Sequence, residues 1–353
     1  MSPAFWKNKK VLITGHTGFK GGWLAYWLQS MGAQVAGLAL AAEKESFFQA
    51  LKLDSLIRSE MGDIRDEKTV HSLFQQFQPE VVLHLAAQSL VRPSYENPLE
   101  TYSTNVMGTA VLLEAVRKTP SVRSCVIVTS DKCYENREWT WGYRENDPMG
   151  GWDPYSSSKG CAEILTQSWT RSFFADKPVS LASARAGNVF GGGDFARDRL
   201  IPDCMRSFSK KQKVQIRNPR AIRPWQHVLE PLHGYLTLAE KGFSQPQNFR
   251  GGWNFGPSQT GEVSVQEVVE KASRRWGSDA QFEIDSSPQP HEALMLKLDV
   301  SKAKAQLQWS AVLEMTKALD MTVDWYRAYF AGEDLRKLSG EQIQMYQDLR
   351  GEK

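Results

Sequence analysis

From Lys10 onward, short apolar runs alternate with longer stretches of helical spacing, the pattern of strand–helix–strand units that build a parallel sheet. Residues 11–15 (VLITG) read as a first strand and residues 19–31 as a helix with Trp23, Leu24, Trp27 and Leu28 on one face, closed by Gly32. Further strands are predicted at 34–40, near 60–62, and at 81–87, 125–130 and 179–187; the run VVLHLAA at 81–87 has the unbroken apolar character of a strand covered on both faces. Helices are predicted at 67–77, 104–118 and 155–174. The expected fold class is α/β, a doubly wound parallel sheet over residues 1–187. After Gly187 the alternation gives way to loop chemistry and to shorter elements rich in Arg, Pro and Trp. Residues 188–332 are read as a smaller C-terminal lobe, partly interleaved with the first unit through a strand or helix returning near 223–241. From Glu333, many charges and few large apolar residues predict a surface helix or a partly ordered tail over 333–353.

Composition narrows the function classes. With 353 residues and 41% hydrophobic content, the chain can bury enough apolar surface to order itself. Lys and Arg number 43 against 40 Asp and Glu, a net charge of +3, which argues against a nucleic-acid partner and for a local site if the ligand is anionic. Cys125, Cys133, Cys161 and Cys204 form no CxxC pair, and with no leader pattern they point to reduced thiols and a cytoplasmic location. No membrane partner is expected, because no run approaches the roughly 18 apolar residues of a span.

The sharpest local signal is TGHTGFKGGWL, which places Gly15, Gly18 and Gly21 between a strand and a helix. Bare glycines let the turn close, let backbone approach a pyrophosphate and let the helix pack on the strand, with the helix N-terminus facing the phosphates. In this strand–turn–helix context the motif predicts a Rossmann-type dinucleotide site, with Thr17, Phe19 and Lys20 as further contacts, the other reading being a merely structural turn. The second strand ends in Leu38, Ala39, Leu40 and Ala41, with neither the ribose-binding acid of an NAD site nor an Arg for NADP. Asp63 and Ile64 follow the third strand, where the carboxylate either meets the adenine amine or serves a solvated turn. The second signal is Tyr155 and Lys159, four residues apart at a helix start and therefore on one face, with Ser130 ending the fifth strand. A cation beside the phenol would favour phenolate, which takes a proton from a sugar hydroxyl as hydride leaves the same carbon. His84, on a buried strand, reads as a satisfied interior histidine, and no histidine or carboxylate spacing suggests a metal.

The glycine motif, HLAAQ at 84–88, Asn105, Ser130 and YSSSK together resemble the extended short-chain dehydrogenase/reductase family over nearly the whole chain. TSDKCYEN, WGYRENDPMGGWDPYSSSKGCAE, ARAGNVFGGGDFARDRLIPD and RNPRAIRPWQHVLEPL are similar to its nucleotide-sugar 4,6-dehydratases, in the branch acting on CDP-sugars. The resemblance implies NAD as cofactor, contacted also by Leu85, Ala86, Ala87, Asn105, Tyr155 and Lys159, and CDP-glucose as substrate. Tyr155, assisted by Lys159 and Ser130, would deprotonate the C4 hydroxyl as hydride passes to NAD+; the 4-ketone then acidifies C5, water leaves across C5 and C6, and hydride returns to C6. The product would be CDP-4-keto-6-deoxyglucose, for deoxysugar biosynthesis of the O-antigen or lipopolysaccharide type.

Elimination needs an acid for the C6 hydroxyl and a base for C5. Asp131 and Lys132 are assigned to those tasks, with Glu135 as a substitute base; the other reading is a salt bridge at the turn. dTDP-glucose dehydratases carry Asp-Glu here, and a lysine with a reference pKa of about 10.4 needs burial or neighbouring cations to act as a base. Gln88 is a candidate near the hexose. Asn188, Arg199, Arg217, Arg223 and His227 are candidates for the diphosphate and base, where guanidinium forks match phosphate, or else surface side chains. Trp139, Trp141 and Trp152 either cover the site or pack. The resemblance further implies a homo-oligomer, dimer or tetramer, pairing the helices at 104–118 and 155–174. A nucleotide-sugar 4-epimerase, which needs no Asp131–Lys132, and a non-catalytic dinucleotide-binding regulator are the alternatives.

Overall fold

The computed structural model describes residues 1–258, 261–285 and 296–352. Its main sheet has seven parallel strands: β1 (Lys10–Thr14), β2 (Gln34–Ala39), β3 (Arg58–Met61), β4 (Val81–His84), β5 (Ser124–Val128), β6 (Ser180–Arg185) and β7 (Gly251–Asn254). Their spatial order is β7-β6-β5-β4-β1-β2-β3, with Val11 flanked by Val35 and Val81. The order reverses between β1 and β4, so the connections leaving their carboxyl ends diverge and open a crevice there.

Both faces of the sheet are covered because the strands are apolar on both. The flanking helices are α1 (Phe19–Ser30), α2 (Glu67–Phe77), α3 (Gly108–Lys118), α4 (Pro154–Phe173), α5 (Leu200–Ser209), α6 (Leu229–Ser244), α7 (Val265–Trp276), α8 (Met315–Ala331) and α9 (Leu335–Leu349). Val11, Ile13, Leu83, Val126 and Val128 point into one core with Trp23 and Trp27 of α1 and Leu229, Leu232 and Leu236 of α6. Their strand neighbours Leu12, Val82, Cys125 and Ile127 point into the other, against Val70 and Phe74 of α2 and Leu112 and Leu113 of α3. Helix α1 is apolar on more than one side because its outer surface is roofed as well: Phe47 stacks on Trp23 at 4.5 Å and Tyr346 of α9 meets Trp27 edge-on at 5.8 Å.

Several elements differ from the sequence reading. Beyond α6, which packs on β5 and β6 in the region where a returning strand or helix was expected, the sheet gains a strand that was not predicted: β7 pairs with β6, Gly251 beside Ala182. The sequence concealed β7 because two glycines open it, and Gly252 is bare where the Arg185 guanidinium crosses. The predicted helix at 104–118 starts as α3 only at Gly108, after a π-turn at Ser103–Met107. The expected charged tail is a docked helix, with Leu335, Ile343 and Tyr346 of α9 buried. Tyr346 Oη and Arg350 donate to the buried Glu230 carboxylate at 2.7 and 3.0 Å. Apolar residues are few in that segment but recur on one helical face, which is what burial requires. Among the described residues, no helix is long and apolar enough to cross a membrane.

Candidate active site

The glycine turn closes against the loop after β4. Gly15 has φ +77°, and a Cβ there would lie 2.7 Å from the Ala86 amide nitrogen; one at Gly21 would lie 2.8 Å from the Gly15 carbonyl carbon. Only bare backbone fits either place. Leu85 N–H donates to the Thr14 carbonyl at 3.0 Å, and Thr17 Oγ1 to the Leu40 carbonyl at 3.0 Å, which fixes the turn between β4 and the end of β2. Gly18 caps α1 without a side chain, so the first N–H groups of the helix lack a carbonyl within it and could receive a phosphate. Asp63 is held by its own turn: Arg65 forks onto both carboxylate oxygens, Nε to Oδ1 at 3.0 Å and Nη2 to Oδ2 at 2.5 Å. Those bonds hold its carboxyl below the usual range. Ile64 is buried against Gly108 at the start of α3.

Five of the predicted catalytic residues gather where β5 ends. The chain turns through a 3₁₀ segment, Asp131–Cys133, capped by Ser130, whose Oγ accepts the Lys132 N–H at 3.2 Å. Ser130 Oγ donates to Asp131 Oδ1 at 2.9 Å and lies close enough to Tyr155 to pull its phenol down. Asp131 is buried, its Oδ2 has no hydrogen-bond partner among the described residues, and its carboxylate fills the space above bare Gly187. Tyr155 stands in the first turn of α4, which is set by Pro154 and by Asp153 Oδ1 accepting the Ser156 N–H at 2.9 Å. Lys132 and Glu135, which follow Asp131 in the chain, are half-buried.

The electrostatics depart from the expectation of a lowered tyrosine. Burial pushes the Tyr155 phenol up to about 12, against the pull of Ser130. Lys159 donates to the Val128 carbonyl at 3.2 Å, and burial brings its ammonium down to about 8, opposed by the charge of Glu163. Burial would also raise the Glu163 carboxyl, but Arg185 (2.7 Å), Ser183 (2.6 Å) and Thr129 bind it and hold it below the usual range. Lys20, expected at the cofactor, lies within the field of the same cluster: burial and then Arg199 lower it to about 8, while Asp131 and Asp194 pull the other way.

Asn105 sits in the π-turn and cross-links the site. Its Oδ1 accepts the Gln88 N–H at 2.9 Å, and its Nδ2 donates to the Gln88 carbonyl at 2.9 Å and to Ser158 Oγ at 2.8 Å. The Gln88 amide is spent on its own loop, donating to Leu90 O and Thr101 Oγ1 at 3.0 Å each. Arg199 pairs with Asp194 at 2.8 Å and its charge reaches Tyr155. Asn188 adopts φ +45° where its carbonyl accepts the Gln226 N–H, Arg223 is half-buried on the Ile222–Pro224 strand, and Arg217 is exposed. His227 is 1% exposed and flanked edge-on by Phe190 and Trp23; burial lowers its imidazole to about 3, and its Nε2 has no hydrogen-bond partner among the described residues. Trp139 packs on Tyr143 at 5.5 Å, whereas Trp141 and Trp152 are exposed. Sequence reasoning missed Gly187, Asp194 and Ser158. Gly187 was visible only as the glycine ending a predicted strand.

Residues 12–322 match the family model described as GDP-mannose 4,6 dehydratase. The chain belongs to that family. Among its relatives, this GDP-mannose 4,6 dehydratase family member is 52% identical over 348 residues to a CDP-glucose 4,6-dehydratase of Salmonella typhimurium, covering 97% of each chain. A dTDP-glucose 4,6-dehydratase of Xanthomonas campestris is 27% identical, covering 89% of this chain and 92% of the relative. In fold the family member is similar to a UDP-glucose-4-epimerase of Stenotrophomonas maltophila with bound NAD, at TM-score 0.80 and 22% identity over 92% of this chain and 99% of the other.

Proposed function

We propose that this chain is an NAD-dependent dehydratase that converts CDP-D-glucose into CDP-4-keto-6-deoxy-D-glucose and water, a step of deoxysugar biosynthesis. Asp131 carries the reading. A buried carboxylate bonded to Ser130, with its other oxygen unpartnered among the described residues, serves an elimination and has no task in exchange at C4 alone. The glycine cradle, with Thr17, Phe19, Lys20, Asp63, Ile64, Leu85, Ala86, Ala87 and Asn105, is the place for the dinucleotide. NAD+ bound there supplies a reversible hydride store at its nicotinamide.

The chain's own residues move the protons. Tyr155 takes the C4 hydroxyl proton, with Ser130 turning its hydroxyl from Asp131 to the developing phenolate and Lys159, one helical turn on, as the cation of the pair. Asp131 delivers a proton to the departing C6 hydroxyl from its open Oδ2, and Lys132, with Glu135 as substitute, removes the C5 proton. Arg199, Asn188, Arg217 and Arg223 face the diphosphate, and Gln88 shapes the loop beside the hexose. In deuterated water, CDP-glucose and NAD+ should yield a 6-deoxy-4-keto product labelled at C5, and Tyr155→Phe should lose about a hundredfold or more in kcat. Recovery of CDP-galactose would instead identify an epimerase.

Two coarser features belong to the same reading. Tyr95, Leu99, Met107 and Ile164 are exposed on the helices around α3 and α4, a grouping that suits burial against a second copy. A dimer or tetramer follows, and Ile164→Asp should shift sedimentation to a smaller species. Buried thiols at Cys125, Cys133 and Cys204, with Cys161 exposed and also free, suit a reducing cytoplasm.

A further inference from the structure

Under the floor of the crevice lies a set of polar groups that the chemistry above does not use. Thr14 Oγ1 is 2.6 Å from His84 Nδ1, and His84 Nε2 is 3.1 Å from Thr109 Oγ1. Thr109 Oγ1 donates to the Asn105 carbonyl at 2.7 Å, and the Ala86 N–H donates to Thr14 Oγ1 at 3.3 Å. Thr14, His84 and Thr109 are each at most 2% exposed.

The proton positions follow from one fixed point. A carbonyl only accepts, so the single hydroxyl proton of Thr109 is committed to Asn105, and Thr109 Oγ1 must accept from His84. His84 therefore carries its proton on Nε2. Burial and the nearby Lys159 charge keep the ring neutral, lowering it to about 3, so Nδ1 is an acceptor and takes the Thr14 hydroxyl proton. Thr14 in turn accepts from Ala86. Every bond then points the same way, from the Ala86 amide to the Asn105 carbonyl, and aligned bonds in a dry interior polarise one another.

The two ends matter. Ala86 abuts Gly15 of the dinucleotide turn, and Asn105 reaches through Ser158, whose Oγ donates to the Tyr155 carbonyl at 2.7 Å. We infer that His84, relayed through Thr14 and Thr109, is a positioning residue that holds the dinucleotide turn in register with the helix bearing Tyr155. This rests on the function proposed above. Hydride leaves C4 as the proton leaves its hydroxyl oxygen, so the cradle and the phenol must keep a fixed separation, and a rigid polar strut between β1, β4 and the π-turn supplies it.

Imidazole ¹⁵N spectra of the wild-type protein test the direction of the chain. The expected result is an Nε2–H tautomer that does not titrate between about pH 6 and about pH 9; an Nδ1–H tautomer or a titrating ring would overturn the inference. Thr109→Val keeps shape and removes the relay. It should lower kcat on the order of tenfold or more while KM for CDP-glucose changes by less than about threefold, and Thr109→Ser should restore turnover. Wild-type kcat in Thr109→Val would overturn the positioning role. Should that variant not fold, Thr14→Val breaks the same strut at its other end and carries the kinetic test. A wild-type protein inert toward CDP-glucose would sink the proposed function and leave the spectra to decide the hydrogen-bond chain.

Discussion

Adding one methyl group at Gly187 isolates the placement of Asp131. Gly187 does not have positive φ, so alanine is acceptable to the backbone and the cost is purely steric. The added carbon would lie 2.8 Å from Asp131 Oδ1 and nearer still to Oδ2, where ordinary contact begins near 3.4 Å. Both groups are buried and Ser130 anchors Oδ1, so the carboxylate must swing by roughly 1 Å or more, a displacement that costs on the order of a hundredfold in kcat. Overpacking a filled interior adds about 1–3 kcal/mol of lost stability. The measurements are formation of the 4-keto product from CDP-glucose and the urea midpoint of the same sample. In an Asp131→Ala background the clash disappears, and Gly187→Ala should then cost less than about 0.5 kcal/mol, which exposes the coupling between the two positions. If Gly187→Ala alone turns over within about threefold of wild type, Asp131 does not act from the place described.

Two other outcomes follow from buried charge. Lys159 titrates near 8 in the fold against 10.5 as its reference, so between those values the unfolded chain holds a proton that the folded one has lost, and stability gained from this group rises with pH. Wild type should therefore gain stability relative to Lys159→Met from pH 8 towards 10.5, read from urea midpoints; a widening deficit would contradict the burial argument. Glu163→Gln leaves the Arg185 guanidinium, only 5% exposed, without its counter-charge and should cost about 3–5 kcal/mol, much of it recovered by adding Arg185→Met.

The doubly wound sheet was legible because its central strands are apolar on both faces and its glycine turn has one physical purpose. Tyr155, Lys159 and Ser130 stood out by spacing at a helix start and a strand end, whereas Asp131 was singled out through the elimination that the family resemblance implies. What escaped was set by distance in sequence. Gly187 is glycine because of a carboxylate 56 residues earlier, and β7 joins an edge made by residues around 182. The surroundings of His227 were hidden for the same reason: Trp23 and Phe190, brought from other elements, enclose it. The tyrosine's pKa went the other way because burial outweighs a lysine that bonds elsewhere.

The late strand Gly251–Asn254 has a consequence for synthesis. Until the ribosome has delivered residue 254, the outer edge of Ser180–Arg185 has no neighbour, and a row of amides and carbonyls stands open to any other extended chain. A truncated product ending near 187 would carry the whole nucleotide turn and still display that raw edge, so it should cluster with itself, and co-translational rescue by chaperones becomes most valuable in the interval between those two points.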